Sequence, residues 1–490
     1  MSQKIIVVGA GIAGLTAAIY AKRSGFDVTL IEQHSIVGGM CTGWKRSGYL
    51  FEGAMHWLTG SSPKTEAHQI WRDIGALGDD VSVSLHEPFC SVEQDGEIIH
   101  LYRDIDKTAE HLLAVSPADA PQIRQLVKDV KKLSKMQMPV FDIKGVKAQD
   151  PKPMSLGFLL RMLPAMPAAN RLSKISCKAY VERFSHSGIR RLLRVVPDEY
   201  KASALLFTLA TLHMGDGGFP VGGSLPFVER MAKTFTDLGG TLLLNTQVQK
   251  INIEDGRVRG VKLADAVLEA DAVIVTQETI AALDQLFDQR LQDPWLNTLR
   301  ENTKSTVCTF VSVGVRAHMP GPTIPAWELD TPITYAGVTV DELGFHHYTG
   351  AAYAPEGGTA LTTALMGDTY DFWKQAKEEG RYKAEKDALA AQIKHALHQK
   401  YPQTVENIEV IDIATPLSYE RYTGAFHGSW MSTIGPADSM RPNYPGTVQE
   451  VHGLYFAGHR LLPPGGLPSA AASGRTAAQL VCRQFDVMFC

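Results

Sequence analysis

Residues 5–14 read Ile5-Ile6-Val7-Val8-Gly9-Ala10-Gly11-Ile12-Ala13-Gly14. The four apolar residues are typical of a strand that is buried on both faces of a parallel sheet. Helical spacing follows from Leu15 to Ser24, and Gly25 ends this helix. A second apolar run, Val28 to Ile31, leads to Glu32. The order strand, glycine-rich turn, helix and strand predicts an α/β fold that opens with a Rossmann-like unit.

Each glycine in this turn has a predicted task. Gly9 makes the tight turn, Gly11 allows the close approach of a pyrophosphate, and Gly14 lets the helix pack against the strand. The helix N-terminus offers free N–H groups and a partial positive charge to the phosphates. Glu32 follows Gly14 by 18 residues, a spacing that places a carboxylate at a ribose diol. Because an acid there disfavours a 2'-phosphate, the sequence predicts FAD or NAD rather than NADP.

Two further stretches distinguish between these cofactors. They are Gly38-Gly39-Met40-Cys41 and Gly48-Tyr49-Leu50-Phe51-Glu52-Gly53-Ala54-Met55-His56-Trp57. A second glycine pair soon after the ribose acid resembles the pattern of the FAD-containing amine oxidase and phytoene desaturase superfamily. The region from Gly38 to Gly60 is most similar to the retinol saturase and carotenoid isomerase branch, although many superfamily members have arginine where this chain has Met40. The resemblance implies that the cofactor is FAD.

Later segments resemble the same superfamily. They lie at residues 239–248, 453–459 and 463–469. The resemblance implies that Val248 brackets the adenine. It also implies that the loop before the last helix, predicted from Ala470 to Phe485, turns N–H groups toward the N1/O2 edge of the flavin, where they stabilise negative charge. The residues that the resemblance assigns to FAD binding are Gly9, Gly11, Ala13, Gly14, Glu32, Gly38, Gly39, Met40, Val248, Gly458, His459 and Leu467.

The matching segments are distributed over both ends and the middle of the chain, which implies two interleaved domains. Residues 1–80, 220–300 and 411–490 are predicted to form a Rossmann-like FAD-binding domain. Residues 81–219 and 301–410 are predicted to form a mixed α+β substrate-binding domain. The elements predicted in the second domain are helices Asp106–Val115, Pro121–Met136 and Arg381–Lys400 and strands Ser305–Val315 and Gly358–Met366.

A basic block lies inside an acidic chain. The net charge is -4 over 490 residues, yet residues 121–195 carry 16 Lys and Arg against 4 Asp and Glu. The block surrounds an apolar stretch, Met154 to Pro167, which Arg161 and prolines interrupt, so it is too short to span a bilayer. Such a segment favours peripheral contact with an anionic membrane, and a core helix beneath a solvated basic face is the alternative. The sparse aromatic residues in the block argue against nucleic-acid binding.

The cysteines and histidines indicate the cellular compartment and bear on whether a metal site is present. Six scattered cysteines without a CxxC pair indicate a reducing compartment. Because no signal peptide is visible, we expect a cytoplasmic protein with peripheral contact at the inner face of a membrane. The pairs His346/His347 and His395/His398 do not form a metal-binding constellation, so no metal site is predicted.

The resemblance implies an FAD-dependent oxidoreductase that acts on C–C bonds of a lipophilic polyene or isoprenoid, of the phytoene desaturase or retinol saturase type. The electron acceptor stays open among dioxygen, a quinone and a partner reductase. Three alternatives are a redox-neutral carotenoid cis–trans isomerase, a flavin amine oxidase, and a non-enzymatic escort of prenyl lipids.

The predicted catalytic residues are His56, Arg421 and Tyr422. His56 follows the pyrophosphate motif and titrates near neutral pH, so it is able to donate or accept a proton. Arg421 and Tyr422 end the segment Thr415–Tyr422, which matches the desaturase and saturase branch. Glu52 and His459 are further candidates by their position near superfamily motifs.

Overall fold

The computed structural model describes residues 2–136, 140, 142–148, 160, 162–303, 305–319, 324–432, 444–462 and 465–490. The strands there are β1 (Lys4–Val8), β2 (Asp27–Ile31), β3 (Gly43–Arg46), β4 (Tyr49–Glu52), β5 (Val83–Ser84), β6 (Cys90–Gln94), β7 (Glu97–Leu101), β8 (Phe219–Pro220), β9 (Thr241–Leu243), β10 (Lys250–Glu254), β11 (Arg257–Lys262), β12 (Val267–Glu269), β13 (Ala272–Val275), β14 (Ser305–Thr306), β15 (Cys308–Val315), β16 (Trp327–Tyr335), β17 (Val338–Leu343), β18 (His346–Thr349), β19 (Thr359–Met366), β20 (Ile408–Ala414), β21 (Met431–Ser432) and β22 (Leu454–Phe456).

The α-helices of the described residues are α1 (Ile12–Arg23), α2 (Glu66–Asp73), α3 (Ile105–Val115), α4 (Ala120–Leu133), α5 (Met166–Leu172), α6 (Cys177–Val181), α7 (Ser187–Leu192), α8 (Ala202–His213), α9 (Ser224–Asp237), α10 (Thr279–Gln285), α11 (Pro294–Asn302), α12 (Tyr370–Glu378), α13 (Tyr382–Lys400), α14 (Pro416–Thr423) and α15 (Gly466–Phe485). Short 3-10 helices lie at Pro117–Asp119, Pro402–Thr404, Phe426–Gly428 and His459–Leu461.

A parallel sheet of five strands forms the centre of the fold, in the order β22-β13-β1-β2-β9. β1 pairs with β13 on one side and with β2 on the other. Its side chains alternate between two cores, with Ile5 and Val7 packed in the core of α1 and α15 and Ile6 and Val8 packed in the opposite core. The predicted strand, buried on both faces, and the predicted α/β class are both confirmed.

The other sheets are antiparallel. β10, β11 and β12 form a meander whose Ile251, Val258 and Val261 share a core with β1, and β18-β19-β15-β20 form a second sheet. Helices α3 to α8 pack with β6 and β7 around a separate core. The parallel sheet draws its strands from the three segments predicted for the FAD-binding domain, and the helical core lies within 81–219. The exact domain boundaries stay a prediction.

Several predicted elements have different bounds, and among them α4 ends at Leu133 rather than Met136. α1 begins at Ile12 rather than Leu15, and α15 begins at Gly466 rather than Ala470. The first turns of both helices contain residues that are weak helix formers in a helix interior but are tolerated at its start. A proline such as Pro468 loses no hydrogen bond there. The predicted strand Ser305–Val315 is divided into β14 and β15, because β14 pairs with β21 whereas β15 pairs with β19 and β20.

The basic block is described only in part, since residues 149–159 and 161, most of the apolar stretch, lie outside the described residues. Where it is described, it packs inward through buried Ala168 and Leu172, while Arg171 pairs with the buried Asp129. Within the described part of the chain, no helix has both the length and the apolar character that a bilayer span requires.

α1 is held at backbone distance by β1 on one side and by α15 on the other. A Cβ atom on Gly14 would lie 1.8 Å from the carbonyl oxygen of Gly9, and one on Gly474 would lie 2.2 Å from that of Ala13. Neither position has room for a methyl group. Every residue from Ile12 to Ala21 is buried. The strand and the last helix therefore fix the position of the α1 N-terminus between them.

We expect Gly474→Ala to lower the free energy of unfolding by about 1–3 kcal/mol, because α1 and α15 must separate to admit the methyl group. Urea unfolding followed by circular dichroism measures this change. Thr476→Ala, in the same helix, adds no atom and serves as the control. Equal stability of Gly474→Ala and wild type would contradict the backbone contact.

Candidate functional site

The N-terminus of α1 is an uncapped helix end. Gly11 is its N-cap, with φ -73° and ψ -177°, and neither a capping side chain nor an acidic residue in the first turn is present. The first N–H groups of a helix have no partner within the helix, so they attract anions. The glycine pair Gly38-Gly39 lies beside this end, since Gly38 donates its N–H to the Ala10 carbonyl at 2.8 Å. The residues predicted to hold the pyrophosphate are thus together.

Gly14 and Gly11 are required for different reasons, one for packing of the protein and the other for space beside a ligand. A Cβ atom on Gly14 would clash with the protein itself, as described above. A Cβ atom on Gly11 would have the Gly38 carbonyl oxygen as its nearest protein neighbour, at 3.8 Å, and the extended backbone of Gly11 suits any residue. Protein packing therefore does not require glycine at position 11. The open space above it fits a cofactor that approaches the backbone, as the resemblance implies for FAD.

Glu32 is buried beside this turn. One carboxylate oxygen accepts the N–H of Ala10 at 2.7 Å, and the other accepts the N–H of His34 at 2.9 Å. The backbone of Thr246 also donates to the Glu32 carbonyl, which places the loop before the buried Val248 next to the carboxylate. The carboxylate is thereby fixed in orientation and keeps lone pairs for a ribose diol. Its role at the ribose, and that of Val248 at the adenine, stay predictions.

A second uncapped helix end lies at the start of α15. Its N-cap, Gly465, has φ 91° and receives no side-chain cap. Gly458, which ends β22, has φ 152°, donates its N–H to the Ser473 hydroxyl at 2.9 Å, and has open space where a Cβ atom would lie. The N–H groups of the first α15 turn, which include that of Leu467, are thus available to an electron-rich group. This geometry fits the flavin edge that the resemblance assigns to this segment.

A large cavity of about 2720 Å³ opens next to this helix end, and Gly465 lies in its wall. Its lining includes Phe219 and Tyr348 of the core around α1 and Leu192 of the helical core, and Met136 and Ser173 also line it. Aromatic and charged side chains both contribute to its lining. The aromatic lining residues include Trp57, Phe89, Phe207, Phe219, Phe345, Tyr348, Tyr370, Phe426 and Trp430.

Four histidines lie together in the wall of this cavity: His56, His86, His346 and His347, which we call the histidine wall. The rings of His56 and His346 are stacked, with centroids 3.9 Å apart and planes inclined by 13°. His346 is exposed to the open cavity, while protein surrounds it on its other sides. The Nδ1 atoms of His56 and His347 are buried and have no hydrogen-bond partner among the described residues.

The histidine wall is neutral at pH 7. Burial, and then His346, lower the pKa of His56 well below its usual range. Burial, followed by His347 and His86, lowers the pKa of His346 to about 4. The pKa values of His347 and His86 are also lowered, mainly by burial. A neutral imidazole has one N–H donor and one acceptor, so the wall offers hydrogen bonds without charge.

Glu52 has a structural role rather than a catalytic one. One of its oxygens accepts the N–H of Ser224 at 2.7 Å and thereby caps α9. The other accepts the N–H groups of Ala54 and Met55 and the Ser224 hydroxyl. Burial raises its pKa, whereas these hydrogen bonds oppose that rise. Both oxygens are occupied by protein donors.

Arg421 and Tyr422 lie away from His56. Both are exposed, neither lines the cavity, and Tyr422 packs edge-on against His34 at 5.3 Å between ring centroids. A catalytic group must reach the reacting atoms, and these positions do not support such a role, which stays a prediction. Their positions, next to the residue that hydrogen-bonds Glu32, are on the predicted ribose side of the site.

The other predicted site residues lie where the glycine-rich segments meet. Ala13 is buried in the first turn of α1. Met40 packs against the apolar cluster of Cys308, Phe310 and Tyr419. His459 begins the short helix after Gly458, and burial, followed by Arg460, lowers its pKa to about 4. Direct contact of these residues with FAD stays a prediction.

The sequence analysis missed the histidine wall. His346 and His347 begin β18, and the sequence showed only that their spacing is wrong for a metal site. No local pattern indicates that β18 lies against His56 and His86. Among the described residues, no group of three or more histidine, cysteine, aspartate or glutamate side chains is arranged to hold a metal ion.

A comparison of two glycine variants tests the predicted pyrophosphate site at the N-terminus of α1. We expect Gly11→Ala to leave the apoprotein as stable as wild type but to weaken FAD binding by about tenfold or more, because the methyl group occupies ligand space. We expect Gly14→Ala to destabilise the apoprotein itself. Thermal unfolding of apoprotein and fluorescence titration with FAD separate the two effects. Unchanged FAD affinity in Gly11→Ala would refute the predicted approach of the pyrophosphate.

Known proteins resemble this chain over nearly its full length. It is 24% identical to the phytoene desaturase (neurosporene-forming) of Rhodobacter capsulatus, over 98% of this chain and 94% of the relative. It is 23% identical to the chloroplastic prolycopene isomerase of Arabidopsis thaliana, over 97% of this chain and 82% of the relative. The crystal structure of an oxidoreductase from Methanosarcina mazei has a similar fold, with a TM-score of 0.59 and 17% identity over 96% of this chain and 98% of that one.

A family model gives the assignment. The model described as flavin containing amine oxidoreductase matches residues 12–482, which span the α1 N-terminus, the cavity and nearly all of α15. The match includes both uncapped helix ends, and their geometry fits a flavin dinucleotide. The chain therefore belongs to the flavin-containing amine oxidoreductase family and is an FAD-dependent oxidoreductase.

Proposed function

We propose that this enzyme oxidises or reduces C–C bonds of a lipophilic polyene. The observation that carries the proposal is the cavity of about 2720 Å³ that opens beside the α15 N-terminus. Sites for small ligands usually measure about 300–1,000 Å³, so a small amine leaves most of this space unfilled. An elongated hydrocarbon fills it.

The lining of the cavity supports a flat, apolar substrate. Phe219 contacts Tyr348 with ring centroids 5.8 Å apart, and Trp57 contacts Phe89 at 5.5 Å. Aromatic side chains provide large apolar surfaces and favourable stacking geometry for a conjugated chain. The relatives named phytoene desaturase and prolycopene isomerase support the same substrate class.

The residues of the chain have distinct tasks in this proposal. FAD supplies the hydride or electron transfer. The uncapped ends of α1 and α15 bind its pyrophosphate and its electron-rich ring edge, and Glu32 binds the ribose. His56 offers one N–H as a hydrogen-bond donor and does not serve as a proton donor at pH 7, because its lowered pKa keeps the ring neutral. Residues 1–80, 220–300 and 411–490 form the cofactor domain, and 81–219 and 301–410 enclose the substrate.

Anaerobic mixing tests the substrate class. We expect phytoene in detergent micelles to bleach the flavin absorbance at about 450 nm, or a conjugated polyene to reoxidise chemically reduced enzyme. Stopped-flow absorbance follows both directions, and product analysis identifies the changed bond. Subsequent addition of dioxygen, a quinone or a reductase identifies the electron acceptor.

Amines serve as the contrasting substrates in the same assay. Putrescine and benzylamine are expected to leave the spectrum unchanged. Bleaching by amines alone would reject the polyene proposal. Conversion of a cis-polyene to its trans form, without net change in the flavin and without an acceptor, would instead indicate an isomerase.

We further propose that the cavity is loaded from a membrane surface. Leu160, Leu163 and Met166 are exposed by 56%, 54% and 54% and lie together in sequence at the start of α5. Exposed Lys174 follows shortly after, and Ser173 next to it lines the cavity. Apolar side chains flanked by cations suit the interface of an anionic bilayer.

We expect the double variant Leu163→Ser/Met166→Ser to bind anionic vesicles about tenfold more weakly, because less apolar surface enters the interface. Co-sedimentation with vesicles of phosphatidylglycerol and phosphatidylcholine measures binding. Val267→Ser removes a side chain that is 59% exposed on β12, away from α5, and is the matched control. Equal binding of all variants would exclude this surface as the membrane contact.

A further inference from the structure

We propose that the histidine wall binds a hydroxyl or carbonyl oxygen of the substrate, so that this enzyme acts on an oxygenated polyene rather than a pure hydrocarbon. The inference rests on the proposed function and specifies its substrate class. Its basis is the histidine wall itself, four imidazole rings inside a cavity whose lining also contains aromatic and charged side chains.

Part of the histidine wall is accessible to a ligand in the cavity. His56 and His346 stack face to face at 3.9 Å, so their ring edges, which carry the nitrogen atoms, are not bonded to each other. His346 is exposed to the cavity, and so is His86. A hydrocarbon that filled this region would remove water from the rings of His346 and His86 and provide no replacement partner. An oxygen atom of the substrate replaces the lost hydrogen bonds.

The charge state of the wall selects a neutral oxygen. Burial and mutual proximity keep the imidazoles uncharged at pH 7. Beyond the effect of burial, Arg103 lies close enough to His86 to lower its pKa further, and the Arg103 guanidinium donates to the Gly217 carbonyl at 2.5 Å. Glu87 and Asp216 lie close enough to Arg103 to raise its pKa, against the stronger lowering by burial. A carboxylate at the histidine wall would need a positive charge that neutral imidazoles do not supply, whereas a hydroxyl or carbonyl needs none.

A metal ion fits the wall less well than an oxygenated ligand. Imidazole binds a metal through a lone pair in the plane of its ring, and ligands of one ion must point toward one centre. The parallel stacking of His56 and His346, with planes inclined by 13°, directs their lone pairs along separate planes. This agrees with the lack of a metal-binding group among the described residues.

Matched carotenoids test the proposal with the FAD-loaded enzyme. β-Carotene carries no oxygen, β-cryptoxanthin carries one hydroxyl and echinenone one ketone on the same carbon skeleton. We expect at least one oxygenated compound to bind about tenfold more tightly than β-carotene, as one additional hydrogen bond implies. Quenching of tryptophan fluorescence in detergent micelles measures the three dissociation constants.

His346→Phe keeps a stacking ring and removes the nitrogen atoms. We expect this variant to lose the tenfold preference while its affinity for β-carotene stays unchanged. His395→Phe makes the same substitution on the exposed face of α13, outside the cavity, and is the matched control. Circular dichroism and FAD content verify folding, and His347→Phe replaces His346→Phe if the latter does not fold.

Three outcomes would overturn the inference. They are equal affinity of wild type for the three carotenoids, equal weakening of all three by His346→Phe, and a preference that both histidine-wall variants retain. If polyenes still react with the flavin in the anaerobic assay, such a result rejects the oxygen-binding role alone. If no polyene binds or reacts, the proposed function fails together with this inference.

Discussion

Backbone-to-backbone packing of α1 is the constraint on which the site depends. Gly14 brings α1 against the turn after β1, and Gly474 brings α15 against the backbone of Ala13. Both contacts exclude even a methyl group, so the helices have one allowed separation. The N-termini of α1 and α15 are both uncapped and carry a partial positive charge. The packing of the two helices therefore also fixes the position of one N-terminus relative to the other. The same glycines that stabilise the core therefore position the groups that bind the cofactor.

The site has two halves that differ in their electrostatics. The cofactor half comprises the N-termini of α1 and α15 with Glu32, and the substrate half is the cavity with the histidine wall. The cofactor half uses helix ends and the oriented carboxylate of Glu32, groups that suit phosphates and a ribose. The substrate half uses aromatic rings and neutral imidazoles. Buried cations near the flavin side are held by protein partners, as Arg460 is by Glu278 at 2.9 Å. Charged side chains also line the cavity, and some of them are paired, as Arg191 is with Glu328 and Glu342. Such pairing offsets part of the cost of their desolvation when an apolar substrate enters.

Local sequence patterns were sufficient for the cofactor half. The run from Ile5 to Gly14 has a short-range physical cause for each residue type, and the α/β class followed from it. With Glu32 it predicted FAD or NAD, and the resemblance carried by Gly38 to Gly60 implied FAD. The predicted start of α15, Ala470, lies four residues after the observed start, Gly466. Gly466 and Pro468 are poor helix formers in a helix interior, and only their position in the first turn makes them acceptable. Arg421 and Tyr422 were assigned from a matching segment, and segment similarity does not report which way a side chain faces.

The substrate half required the tertiary structure. The histidine wall joins a loop after β4, a loop after β5 and the start of β18, and its members are far apart in sequence. Pairing of β18 with β19, in which His346 lies opposite Thr362, brings both His346 and His347 to the cavity. Composition and motif spacing carry no information about that pairing.

The two halves together explain how an enzyme of this design selects one bond in a repetitive substrate. A polyene presents nearly the same apolar surface at every repeat, so an aromatic cavity alone stabilises many positions along the chain about equally. The proposed hydrogen bond to one oxygen atom would remove this degeneracy, because only one position of the chain would satisfy the histidine wall. The α15 N-terminus lies in the wall of the same cavity and is fixed by Gly474. The distance between these two fixed points then determines which carbon atoms lie at the flavin.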